Sequence, residues 1–209
     1  MIWFIYAPLI FFLKIFCYLT NPVVVLFSNS VGQLPGILKY WQTWDSTLDN
    51  KQMMTEIVPD KYKWLDYHWN EKYELYEEYN LELNRTIEKV KLKQGVIFSF
   101  KEKIQQYFCR LLWIYRNCAY GFAMYLLGTK GRQDNMIYPR FKTDEKDEFV
   151  FGYDKTRNIL VRPWTCRFYK RIIGSFYLTG YLGWKIPWWN INDYYQAMIA
   201  NRIAPRFEH

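Results

Sequence analysis

The first 38 residues carry a single charged side chain, Lys14, and the run from Ile2 to Leu19 is otherwise apolar. As a helix of about 18 residues this run would reach ~27 Å, close to the thickness of a hydrocarbon core. Three readings compete for it. A secretory signal wants a basic start and a small-residue cleavage site, whereas the chain opens Met1-Ile2-Trp3-Phe4 and has no Ala-x-Ala pattern. A core helix or oligomer interface would bury it, although hydrophobicity on every face is unusual in so small a protein. A membrane anchor fits best, with Trp3, Tyr6 and Tyr18 as interfacial aromatics. Lys14 near its middle costs a few kcal/mol, offset where the lysine snorkels or the helix lies in the membrane plane. Residues 1–28 are therefore expected to form an anchor or interface helix, and 29–209 a single α+β domain.

Charge is concentrated beyond that segment. Of 28 Lys and Arg residues 27 follow it, together with all 20 Asp and Glu, and the net charge is +8. The positive-inside bias then favours a cytoplasmic bulk domain. Cys17, Cys109, Cys118 and Cys166 show no Cys-x-x-Cys spacing, which argues for reduced structural thiols.

The rest of the chain predicts α+β elements. Ser28 to Asn50 is turn-rich, with a short helix around 37–41. From Asp60 to Lys93 the chain is charged and free of glycine, and Trp64, Trp69, Tyr73 and Tyr76 fall near helical spacing, so an amphipathic helix is expected with Asp60 as its cap. A second amphipathic helix is expected over 101–116, with Ile104, Phe108, Leu111, Leu112 and Tyr115 as its buried side. Residues 129–148 read as a surface loop. Past Glu148 four segments rich in Val, Ile, Tyr, Phe and Trp, at 149–153, 158–162, 165–172 and 175–186, predict a C-terminal antiparallel meander. Residues 193–202 read as a short terminal helix.

Motifs of known chemistry do not occur: there is no Gly-x-Gly-x-x-Gly, Walker loop, Gly-x-Ser-x-Gly or calcium loop. His68 is the one internal histidine, which leaves little for a Cys–His pair. Neither a cofactor nor a metal is expected, and the protein is read as non-enzymatic. Asp45 and Asp49, four apart beside Trp41 and Trp44, admit acid/base or sugar-binding roles, but such residues in turns more often bond backbone. Arg116 and Asn117, followed by Tyr120, could hold a carboxylate or phosphate; the competing role is tying a helix end to carbonyls. The basic tract 155–171 alternates so that Arg167, Tyr169 and Arg171 share one face and Cys166, Phe168 and Lys170 the other. That split weakens a nucleic-acid reading, and anionic membrane headgroups or an ordinary solvated surface compete with it.

Several blocks form a recognisable set. Trp41-Gln42-Thr43 with Asp45 and Leu48-Asp49, Arg116-Asn117 with Ala119-Tyr120-Gly121-Phe122, and Leu182-Gly183-Trp184-Lys185-Ile186 resemble a family of uncharacterised tailed-phage and prophage proteins. Trp44 stands where that family usually has Pro, and Asn50 where it has Gly. The resemblance implies a phage origin and membrane association, with no mechanism attached. Membrane lipids and a protein of the host envelope or virion are the expected partners, and an oligomer is compatible with both. The alternatives are a virion or assembly component whose apolar helix is buried against other subunits, and an enzyme of unfamiliar type.

Overall fold

In a computed structural model that describes residues 1–43, 47–58, 62–80, 85–144, 147–188 and 193–207, the apolar N-terminus is one helix, α1 (Trp3–Val25). Its buried positions Ala7, Ile10, Cys17, Asn21 and Val24 recur at steps of three and four, with half-buried Lys14 in the same row. This is the spacing of a single packed stripe. The other faces are as apolar as the stripe yet exposed. Pro22 lacks the amide that would bond the Tyr18 carbonyl, and the Tyr115 hydroxyl donates to that carbonyl instead, at 3.3 Å.

The chain divides into two compact units, Leu13–Phe122 and Met1–Phe12 with Ala123–His209. In the first, a 3₁₀ turn at Gly36–Trp41 is followed by α2 (Lys51–Glu56), whose cap is Asn50, accepting from the Met53 amide at 2.8 Å. Asn50 therefore works as a helix cap rather than as a substitute for turn glycine. The long helix expected over 60–93 is absent. Asp60 lies outside the described residues, a single helical turn covers Trp69–Lys72, and then β1 (Tyr73–Asn80) and β2 (Arg85–Leu92) pair antiparallel.

The same residues satisfy both periods, and the cross-strand pairs decide between them. One face of the hairpin carries Tyr73 opposite Leu92 and Leu75 opposite Val90. The other carries Glu74 bonded to Lys91 at 3.0 Å and Glu78 bonded to Lys89 at 2.7 Å. Charges that would serve as helical i,i+4 partners become cross-strand pairs. Helix α3 (Phe100–Arg116) forms where expected, and it starts with a capping box between Ser99 and Glu102.

The second unit holds β3 (Thr129–Arg132), β4 (Met136–Thr143), β5 (Asp147–Asp154), β6 (Trp164–Ile173), β7 (Phe176–Trp184), β8 (Tyr194–Ala197) and β9 (Ile199–Phe207). Five of them form an antiparallel sheet in the order β4-β5-β6-β7-β9, and β3 pairs with β8. The fold is α+β, with an apolar N-terminal helix and a C-terminal antiparallel sheet. Three expectations fail in detail. The loop at 129–148 is largely β3 and β4. The strand at 158–162 is a turn whose Leu160 carbonyl accepts from the Ile2 amide. The terminal helix at 193–202 is two strands. β4 and β9 are sheet edges, and each contains a proline, Pro139 or Pro205, as edge strands tolerate.

Candidate functional site

Within the Leu13–Phe122 unit, the turn-rich segment and α3 meet at Asp49, whose side chain is 0% exposed. Arg110 donates to it from Nε at 2.8 Å and from Nη2, and its Nη1 reaches Ser28 Oγ at 2.8 Å. The Tyr67 and Tyr73 hydroxyls lie 3.3 and 3.0 Å from the two carboxylate oxygens, and Gln106 Nε2 donates at 3.3 Å. Trp69 Nε1 donates to the Asp49 backbone carbonyl at 3.2 Å.

Burial, then the Asp49 charge, push the Tyr67 and Tyr73 hydroxyls well above the ordinary phenol range. Burial also pushes the Cys109 thiol up to about 12. It would lower Arg110 as well, but the charge and hydrogen bonds of Asp49 outweigh it and hold the guanidinium above its usual value. Both tyrosines and the arginine therefore stay protonated. A carboxylate with two oxygens and five donors has no lone pair to spare for a substrate. The arrangement holds the loop before α2 against α3 and β1.

Sequence reasoning brought forward Asp49 but missed Arg110, Gln106, Tyr67 and Tyr73. The available signal was two polar residues at i and i+4 on α3, beside Cys109 and Trp113. The buried face of α3 is in fact Gln105, Gln106, Cys109, Arg110, Trp113 and Ile114, while Ile104 and Phe108 of the expected stripe are exposed. The polar side turns inward because Asp49 is there to meet it.

The other candidates sit apart from Asp49. Asp45 lies outside the described residues. Arg116 is ion-paired with Glu56 of α2 and lies 5.4 Å over the Trp113 ring. Asn117 caps α3, its Nδ2 donating to the Trp113 carbonyl at 3.1 Å, and the Tyr120 amide donates to the Asn117 carbonyl at 3.0 Å. These residues tie off a helix end. Gly121 then passes against the backbone of Tyr40 so closely that a Cβ would meet its carbonyl.

At α1, half-buried Trp3 packs at 5.3 Å against Trp164, and Tyr6 is half-buried. Tyr18 stacks on Tyr115 at 5.5 Å. Lys14 belongs to the protein-facing row, so the outward face carries no charge.

The chain matches a family of unknown function (DUF7338) over residues 1–208. It belongs to that family. Comparisons with the curated proteins and with the solved structures give no match. In this DUF7338 chain the recognisable blocks fall on packing contacts. Trp41 Nε1 donates to Thr20 Oγ1 at 3.0 Å, Gln42 Oε1 accepts from the Leu34 amide at 3.0 Å, and Trp184 Nε1 donates to the Leu127 carbonyl at 3.0 Å. Gly183 adopts φ +89°, a conformation that glycine accepts readily. Among the described residues no three His, Cys, Asp or Glu side chains gather to hold a metal ion.

Proposed function

We propose that the chain is a phage-encoded, non-enzymatic protein held at the host cell membrane by α1, which lies in the plane of the bilayer surface, and that it acts through protein or lipid contacts. The observation that carries this reading is the uncharged outward face of α1. Phe4 is 71% exposed and Leu19 75%, and Ile5, Phe11, Phe12, Ile15, Phe16 and Val23 join them. Soluble proteins rarely leave so continuous an apolar surface uncovered. Phe100, Ile104 and Phe108, at four-residue spacing on α3, are exposed as well. The phage origin rests on the resemblance of the Trp41, Arg116 and Leu182 blocks.

An in-plane helix suits the packing better than a spanning one. Within the Leu13–Phe122 unit, the later part of α1 is docked by four bonds: Cys118 Sγ to the Lys14 carbonyl at 3.4 Å, Tyr115 to Tyr18, Trp41 to Thr20, and the Tyr107 hydroxyl to the Pro22 carbonyl at 3.0 Å. A docked spanning helix would carry the charges of α3 with it, at about 2.5–3.5 kcal/mol each on insertion scales. An in-plane helix sinks its apolar face about 5–10 Å and leaves the docked side wet.

The test is low-level expression of the full chain in a bacterium, followed by high-salt and carbonate washes of the membranes. About ten exposed apolar side chains at roughly 1 kcal/mol each should hold the protein through both washes. Release as a soluble, defined oligomer would overturn the proposal and favour the virion or assembly subunit.

A further inference from the structure

The five-stranded sheet has two faces of different character. Trp3 of α1 packs on Trp164, and pairing register and alternation place Trp164, Cys166, Leu182 and Asn201 on that side. On the opposite side Arg167 of β6, Tyr181 of β7 and Arg202 of β9 are directly paired in one row across three neighbouring strands. Lys185, just beyond β7, and Arg206 line the same hollow, a cavity of about 660 Å³. That volume is in the range of small-ligand sites.

Four basic side chains, Arg167, Lys185, Arg202 and Arg206, and two acidic ones, Asp144 and Glu148, line the hollow. Glu148 pairs with Arg167 at 2.6 Å, and Asp144 pairs with Lys142 at 3.3 Å. Lys185 and Arg202 have no ion pair among the described residues, and both line the hollow. Burial, followed by Arg167 and Arg202, holds the Lys185 ammonium below its ordinary value. A protein gains nothing in stability by converging like charges unless something anionic occupies the space between them.

We propose that this face is an anion site for the phosphate group of a phosphorylated ligand, with Lys185 and Arg202 as its principal contacts and Arg167 completing it. Guanidinium forks from two strands suit tetrahedral oxyanions, and the lysine adds a point charge. Within this unit Trp3 at the start of α1 packs on the other face of the sheet, so the site opens away from that contact. A soluble phosphorylated molecule fits this placement better than a lipid headgroup. The basic side chains converge on one open hollow rather than running along an extended stripe, which favours a small ligand over a nucleic-acid strand. The site does not depend on the membrane reading of α1.

The experiment is calorimetric titration of the purified full chain with inorganic phosphate. It compares the unsubstituted protein with Lys185→Gln/Arg202→Gln and with the charge-matched control Arg140→Gln/Lys155→Gln. The site variant should lose about tenfold or more in affinity, and the control less than about twofold. Equal losses in the two variants, or no phosphate binding, overturn the proposal. Flotation with phosphatidylcholine vesicles, with and without phosphatidic acid, separates the sources. A phosphatidic-acid increment abolished only in the site variant assigns the phosphate to a lipid; its absence, with phosphate binding intact, assigns it to a soluble ligand. Binding of a single-stranded oligonucleotide that both variants weaken alike would mark a diffuse polyelectrolyte surface and overturn the site. Should the site variant fail to fold, trace acylation of the unsubstituted protein still decides: phosphate should slow modification of Lys185 and leave Lys155 unchanged, and no protection refutes the assignment.

Discussion

Asp49→Ala is the substitution on which the account of the buried cluster stands or falls. It removes the one carboxylate that pairs with Arg110 among the described residues, and the Arg110 side chain is 7% exposed. Breaking a buried pair by deleting one member costs about 3–5 kcal/mol, because the remaining charge stays desolvated. The Tyr67 hydroxyl loses its acceptor at about 1 kcal/mol more, whereas Tyr73 retains the Ser30 carbonyl at 3.0 Å. The sum, about 4–6 kcal/mol, rivals the whole stability of an ordinary domain. Asp49→Asn keeps the shape and loses the charge, so it should cost roughly 2–3 kcal/mol. Asp49→Leu combined with Arg110→Met should recover much of the loss, since a well-packed apolar pair often replaces a buried ionic one at little cost. Urea unfolding followed by tryptophan fluorescence reads all three, with Trp69 and Trp113 buried close to the cluster. A loss below about 1 kcal/mol for Asp49→Ala would refute the reasoning. Unchanged stability with a lost biological effect would instead move Asp49 from scaffold to chemistry.

Three further outcomes follow from single contacts. Ser99→Ala removes the side-chain half of the α3 capping box and should cost about 1 kcal/mol in urea unfolding. The Lys72 ion pair, then the Ser99 bonds, hold the Glu102 carboxyl down to about 2; a depressed acid stabilises the fold above its unfolded value near 4.5, so this contribution should fade as pH drops from about 4.5 toward 2, and Glu102→Gln should flatten that part of the pH profile. Gly121→Ala drives a methyl into the Tyr40 backbone and should cost about 1–3 kcal/mol by thermal unfolding, whereas the same change at Gly174, where a Cβ meets open space but φ is +53°, should cost about 1 kcal/mol.

Legibility in the sequence tracked how one-sided each signal was. α1 announces itself because nothing but a helix suits so long an apolar run, and β6 and β7 do so through dense Phe, Tyr, Trp, Ile and Leu between turns. The 73–92 segment was illegible for a physical reason: Glu and Lys are good helix formers, and their spacing fits either i,i+4 pairs or cross-strand pairs. Only the partner strand decides, and single-sequence periodicity does not see it. β4 and β9 hid behind charges and prolines, which is how edge strands avoid unwanted pairing. Reading 193–202 as a helix had a further consequence, since it kept Arg202 from joining Arg167 and Lys185. The alternation within β6 was foreseen; the neighbouring strand that gives its basic face meaning was not. At Asp49 the carboxylate stood out, but its partner lay on the helix side expected to face water.

The proposed in-plane placement of α1 makes opposite predictions from a spanning one at two residues. Leu19 points outward, so Leu19→Asp removes about 1.5–3 kcal/mol of apolar burial and adds about 2.5–3.5 kcal/mol for a charge in the membrane. A combined change near 5 kcal/mol is a several-thousand-fold shift in partitioning, enough to move the protein into the soluble fraction. Its thermal unfolding in solution should stay the same, because the side chain touches little of the fold. Lys14→Leu separates the geometries. A spanning helix would hold tighter by a few kcal/mol once the charge is gone from its middle. The in-plane helix keeps Lys14 on the protein side, beside Cys17 and Asn21, and membrane retention should not change. Tighter retention of Lys14→Leu in vesicle flotation would show that the helix leaves its docked position to cross the bilayer. Deleting residues 1–28 cannot replace these substitutions, since Cys17, Asn21 and Val24 are buried within the structure, and the deletion would remove packing together with the apolar face.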